Sequence, residues 1–455
     1  MLLKGLIDLD GKYLGNGYNE PYLNRRNFLQ YTTSVVAGVG LTSCATNPVT
    51  GESQVMLMSE QEEVNLDQKN SPHQFSADYG EADDPELNWY IGQVGKKIAS
   101  VSHRPKMPYS FRCVNATYVN AYAFPGGSIA TTRGIMLNLD NEAELAGLLG
   151  HEVGHVNARH TASRMSKSVL AQLAIVSIST YVGTQDSNVA SIATGLGGLG
   201  AGLLLAKYSR DDERQADKLG MDYMVKAGHT PQGMVGLMEE LQKLLKHQPS
   251  SIKTMFATHP MSLERYNTAN KRVIDKYAKF KAFPNNRERY KDYTANLRKI
   301  KIAIENMQAG EKQMMLKKFK VAEGHFLTAL NKAPRDYAGL VMMAKCHFAQ
   351  KNYIHAKRYA EEAKKVKPGE AQAVHLAGMA KINLRQFVSA FYDFDKYEEM
   401  LPGNPNTVFL KGISLEGQGK KQRSAQEYYR YLQIDRNSKQ SQYAYNRLVS
   451  WGYIK

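Results

Sequence analysis

The 455-residue sequence predicts a mainly α-helical fold with a small β-sheet, ending in an all-α solenoid. Three observations carry this prediction: amphipathic helical stretches between residues 59 and 165, an alternating β-rich stretch over residues 108–133, and a 34-residue recurrence in the last third. The length suits two or three domains. With 43% hydrophobic and 22% charged residues, the composition is that of ordinary globular protein.

Taken in order, a helix is expected to start near Ser59, because Glu62 three residues on makes a capping box. Residues 84–101 place Leu87, Tyr90, Ile91, Val94 and Ile98 on one helical face. Residues 108–133 read as strands ending near Arg133-Gly134. Residues 141–165 read as one helix that begins at an Asn/Asp-rich turn and continues through His160. Two apolar stretches follow, Val169–Val182 and Val189–Ala206. The second is rich in glycine and is expected to be a closely packed helix or helix–loop, not a membrane span. It also matches G-x-G-x-x-G at Gly195, Gly197 and Gly200, but no parallel-strand pattern surrounds it, so a dinucleotide site is rejected.

The recurrence runs through Pro334, Pro368 and Pro402, through Gly310, Ala344, Gly378 and Gly412, through Phe319, Tyr353 and Phe387, and through Ala322, Ala356 and Ala390. A 34-residue period of small, aromatic and proline positions is the tetratricopeptide signature. Small residues let paired helices approach, aromatics fill the gap, and Pro ends the second helix. A fourth unit is expected to slip by one residue, with Ala425 where position 424 falls due. Such stacks present a concave face to peptide or protein partners.

Lys and Arg outnumber Asp and Glu by 59 to 43, a net charge of +16. No nucleic-acid module accompanies the excess, and nucleic acid is excluded as a partner. Part of it is local: residues 271–301 hold eleven Lys/Arg against three Asp/Glu, expected to be a basic helical connector. Cys44, Cys113 and Cys346 are too far apart for a metal-type spacing or a disulfide framework. Arg25-Arg26-Asn27-Phe28-Leu29 followed by a short apolar run describes an export signal. Leu41-Thr42-Ser43-Cys44 resembles a bacterial lipobox, which makes Cys44 the expected lipidation site, and Ala45 after it favours sorting to the outer membrane.

The chemistry centres on His151-Glu152-Val153-Gly154-His155. On a helix, residues four apart share a face, so both imidazoles reach one metal and Glu152 is placed to take a proton from metal-bound water. A catalytic zinc takes a third protein ligand. Thr161 stands where a third metzincin His would be, and His160 falls off the ligand face. The first Glu downstream is Glu213, with Asp217 four residues later on the same face. Glu213 is therefore expected to be the third ligand, and Asp217 an acceptor for a ligand imidazole.

His-Glu-Val-Gly-His-Val-Asn-Ala-Arg-His and Tyr-Ser-Arg-Asp-Asp-Glu-Arg-Gln-Ala-Asp resemble the HtpX- and Ste24p-like gluzincin metallopeptidases. The order of lipobox, Asn-Pro-Val-Thr-Gly, protease and repeats is similar to the periplasmic BepA-type branch. The resemblance implies a gluzincin-type domain with one zinc per chain on His151, His155 and Glu213, and Glu152 as base. It departs at Gln215, where many relatives carry an acid, with no effect on metal binding expected. It also implies that Asn120, Ala121, Tyr122, Ala123 and Phe124 form an edge strand for extended substrate. His259 becomes a fourth ligand or a transition-state contact, and Arg265 a partner of the oxyanion.

The expected organisation is an export signal over 1–43, a tether over 44–70, a zinc metalloprotease domain over 71–270, the basic connector over 271–304 and tetratricopeptide repeats over 305–455. The expected function is a periplasmic, lipid-anchored zinc endopeptidase acting on misfolded or misassembled envelope proteins. Its repeats would dock substrate or an outer-membrane assembly machine. The alternative is a chaperone or scaffold lipoprotein with a latent protease site.

Overall fold

The computed structural model describes residues 44–166, 208–247 and 255–454. The export signal, both apolar stretches and the glycine pattern lie outside the described residues, and Cys44 opens the short strand β1 (Cys44–Thr46). Contacts divide the chain into two compact units, residues 45–402 and a unit that includes residues 403–455.

In the larger unit, Ser59 and Glu62 close the capping box of α1 (Glu60–Ala77). Asp84 caps α2 (Pro85–Ser100), which buries Leu87, Tyr90, Ile91, Val94 and Ile98 as its pattern predicts. After strand β2 (Ser53–Val55), the alternating stretch gives β3 (Ser110–Val114), β4 (Ala121–Ala123) and β5 (Ser128–Thr132). The sheet order is β3-β5-β4, with β3 parallel and β4 antiparallel to β5. A short helix, α3 (Arg133–Asn138), follows directly.

Helix α4 (Glu142–Asn157) starts on an Asn141 cap, but it does not run to residue 165. It ends at Asn157, Arg159 turns left-handed at φ 57°, and a new helical segment begins at residue 160. The cause is tertiary. Arg104 donates to the Val156 carbonyl at 2.9 Å, satisfying a helix-end acceptor, while Arg159 is drawn to Glu63 (2.9 Å) and the Met58 carbonyl (2.6 Å). Helices α5 (Arg210–Lys226), α6 (Gln232–His247) and α7 (Leu263–Asp275) complete the part of this unit that precedes the basic connector.

The basic connector is tied down on this region: Arg287 pairs with Asp140 at 2.8 Å, Arg289 with Glu142 at 3.2 Å, and Tyr290 donates to the Met136 carbonyl at 2.6 Å. Beyond it, helices begin at Phe319, Tyr353 and Phe387, and their partners at Tyr337 and Ala371, all in a 34-residue period. The helices that begin at Phe319, Tyr353 and Phe387 are the second of each hairpin, and they end at Lys332, Val366 and Met400, two residues before Pro334, Pro368 and Pro402. The gap-filling aromatics are not the predicted Phe319, Tyr353 and Phe387. Phe326 and Phe394 do this work: a Cβ on Gly310 or Gly378 would lie 2.3 or 2.8 Å from their rings. Arg133 pairs with Asp336, Ser76 hydrogen-bonds Glu370, and Glu311 accepts from Thr117 (2.6 Å) and Tyr79 (3.2 Å), so the sheet-bearing region and the first repeats share one core.

In the second unit, helices Pro405–Gly417, Lys421–Ile434 and Lys439–Ser450 keep the 34-residue period without the expected slip. Ser424 holds the register position itself, fully buried, and donates to the Gly412 carbonyl at 2.9 Å.

Candidate metal centre

The helices α4 and α5 cross glycine to glycine. A Cβ on Gly220 would lie 2.7 Å from the His151 backbone nitrogen, and one on Gly150 2.8 Å from the Gly220 oxygen. This close crossing sets Glu213, one turn into α5, against the two imidazoles of α4.

Four ligand atoms from His151, His155, Glu213 and His259 lie within 4.8 Å of one another, all buried. The Nε2 atoms of His151 and His155 are 3.0 Å apart, and each faces Glu213, at 3.6 and 3.3 Å. His259 brings Nδ1 to 3.1 Å from Glu213 and 3.4 Å from His151. Metal–ligand bonds of about 2.0–2.2 Å set ligand atoms about 3.3 Å apart around a tetrahedral zinc. The donor set therefore fits zinc. Its lone pairs converge on one buried point, an arrangement that is repulsive without a cation.

Three of these four candidate ligands, His151, His155 and Glu213, are held from behind. His151 Nδ1 meets Asp217 at 2.9 Å, and Arg265 grips Asp217 with two bonds of 2.7 Å. Arg265 also reaches Glu213 at 2.6 Å and the Pro260 carbonyl at 3.0 Å, so its fork is committed to these acceptors. His155 Nδ1 meets His160, and the Tyr208 ring stacks on His155 at 3.8 Å. Neither His160 nor Tyr208 was singled out from sequence as part of the site. The sequence signal for His160 is its place five residues after His155, a spacing that is wrong for a ligand.

Glu152 is fully buried, and neither of its carboxylate oxygens has a hydrogen-bond partner among the described residues. Burial raises its pKa, as suits a proton acceptor. Burial alone would raise Glu213 too, but the imidazoles of His259 and His151 hold it low. Burial opposes charge on His151, yet Glu213 and Asp217 outweigh it and raise its pKa, whereas burial keeps His155 well below the ordinary range.

The strand β4, with Asn120 before it and Phe124 after, is one of the two outer strands of its sheet. All five residues from Asn120 to Phe124 are buried, and β4 packs against α4. A cleft of about 540 Å³ opens beside the histidines, lined by residues that include His160, Tyr208, Pro260 and Arg265.

Residues 85–273 match the model of Peptidase family M48. The chain is similar to the beta-barrel assembly-enhancing protease of Yersinia pestis, 31% identical over 199 residues, covering 42% of this chain and 40% of that protein. The Escherichia coli (strain K12) protein of the same name is 28% identical, covering 42% and 39%. Metalloprotease YcaL of Escherichia coli (strain K12) is 33% identical over 188 residues, covering 40% of this chain and 70% of YcaL. The matched segment thus spans about two fifths of the assembly-enhancing proteases. The solved tetratricopeptide protein YrrB is 14% identical with a TM-score of 0.31, covering 46% of this chain and 99% of that one, a likeness too slight to bear on the fold.

Proposed function

The chain belongs to peptidase family M48, and from that premise we propose that it is a zinc-dependent endopeptidase of the bacterial cell envelope. The observation that carries this reading is the buried convergence of His151, His155 and Glu213 beside an unpartnered Glu152. Zinc bound there would supply Lewis-acid polarisation of water and of the scissile carbonyl. His151, His155 and Glu213 would hold it, and Asp217 orients His151. Glu152 takes the proton from water, a step its raised pKa favours, and returns it to the leaving amine. Arg265 steadies Asp217 and Glu213, and would meet an oxyanion only by releasing one of them. Substrate lies extended along β4, within the proposed strand Asn120–Phe124, and binds there through main-chain hydrogen bonds.

The relatives' name motivates the substrate class: misfolded or misassembled envelope proteins, docked by the repeats, with an outer-membrane assembly machine as a further partner. The proposed location is the periplasm, anchored through lipid on Cys44 at the outer membrane. No helix among the described residues is long and apolar enough to cross a membrane. We also keep a second reading, a chaperone or scaffold with a latent protease, because His259 closes the fourth metal position.

The test is zinc content and casein cleavage by the purified chain and by Glu152→Gln. Zinc in both, with cleavage reduced about 10²- to 10⁴-fold in the variant, supports the protease. No zinc in either overturns the metal assignment.

A further inference from the structure

His155 and His151 hold the proposed metal from one helix turn, yet they are backed by chemically different groups. Behind His151 stands a carboxylate, Asp217. Behind His155 stands another imidazole: its Nδ1 lies 2.9 Å from Nδ1 of His160, and Nε2 of His160 lies 2.9 Å from Oε1 of Gln215. We infer that His160 is a positioning residue for the metal centre, relaying a hydrogen bond from His155 to Gln215 that fixes which nitrogen of His155 is free for the metal. The inference rests on the reading of His155 as a ligand.

The bonding pattern allows one assignment. A ligating imidazole coordinates through one nitrogen and carries its proton on the other. With Nε2 of His155 turned to Glu213 and His151, its proton sits on Nδ1 and is donated to His160. Nδ1 of His160 must then accept, so its own proton sits on Nε2 and is donated to the Gln215 carbonyl oxygen. Both rings are buried. An unmatched nitrogen in either would carry a desolvation penalty, and the pattern is self-enforcing.

The backbone is shaped for this contact. On an uninterrupted helix, residue 160 would lie about 140° around the axis from residue 155. The break at Asn157 and the left-handed Arg159, φ 57°, bring His160 back to the far side of His155. Gln215, expected from sequence to be without effect on metal binding, stands two residues after Glu213 on α5 and closes the relay.

The experiment measures zinc affinity of the full chain by chelator competition, with the melting temperature of the zinc-free form as a check on folding. His160→Leu removes the acceptor, and a loss of about 10- to 100-fold in zinc affinity is expected. His160→Asn places an oxygen where Nδ1 was and is expected to recover most of it. Gln215→Glu, a stronger acceptor at the relay's end, is expected to bind zinc several-fold more tightly than the parent, a gain that a merely structural His160 would not transmit. A folded His160→Leu within twofold of the parent overturns the inference, as does a His160→Asn no better than the Leu variant. Should His160→Leu fail to fold, unchanged affinity in Gln215→Glu overturns it alone. A parent that binds no zinc removes the ligand reading, and this inference with it.

Discussion

Nδ1 of His259 lies 3.1 Å from Oε1 of Glu213, among the same converging atoms as the two imidazoles of α4. Glu152 is 4.0 Å from the other nitrogen of that ring. A fourth ligand occupies the position that catalytic water needs. If the closed arrangement is favoured by about 1.4 kcal/mol, roughly one molecule in ten is open. His259→Ala is then expected to keep its zinc and cleave casein about tenfold faster. A slower variant with full zinc would assign His259 to the transition state instead.

The crossing of α4 and α5 makes a second prediction. Gly220→Ala would push a methyl group into the His151 backbone, and neither helix has room to give. The expected cost is about 1–3 kcal/mol of stability. Glu213 would also be displaced from the imidazoles, so zinc affinity should fall together with melting temperature. Chelator competition and a thermal melt check the two effects separately, and a variant that loses stability at unchanged zinc affinity would show that the crossing does not set the ligand geometry.

What the sequence made legible was periodic or local. The pair His151 and His155 follows from helical spacing, Ser59 with Glu62 from a capping box, and the repeats from a 34-residue period. The end of α4 at Asn157 was not legible, because nothing near it breaks a helix. Arg159 turns there for Glu63, which lies 96 residues earlier. The role of His160 was hidden for the same reason, since a continuous helix carries it away from His155. Phe326 and Phe394 were missed because three aromatics at helix starts, Phe319, Tyr353 and Phe387, repeat more conspicuously.

Glu63 is therefore a third target. It is fully buried and holds both Arg104 at 2.7 Å and Arg159 at 2.9 Å. Glu63→Ala would leave two buried guanidinium groups without their carboxylate, at an expected cost of about 3–5 kcal/mol. The end of α4 would loosen, and His160 with it. A melt of the zinc-free chain reads the stability loss, and a shift worth less than about 1 kcal/mol would mean that water or another acceptor already serves these arginines.

The joint between protease and first repeat carries a pH signature. Lys345 sits over the Tyr79 ring at 4.5 Å, close to the carboxylates of Glu311 and Asp78, and burial pushes its pKa down to about 8. Between about 8 and the ordinary lysine value near 10.4 the unfolded chain therefore binds more protons at this group than the folded one, so its contribution to stability rises with pH across that window. Burial raises Glu311 and Asp78, which act in the opposite sense: stability is lost as pH climbs above their ordinary range. Lys345→Met removes the alkaline component, and with it the ammonium that lowers Glu311 and Asp78. Comparing melts at pH 7 and pH 10, the parent should gain roughly 1–3 kcal/mol relative to the variant on going to the higher pH. Parallel melts at both values would mean that Glu311 and Asp78 already neutralise the buried ammonium, and that the joint is held by its hydrogen bonds from Thr117 and Tyr79 instead.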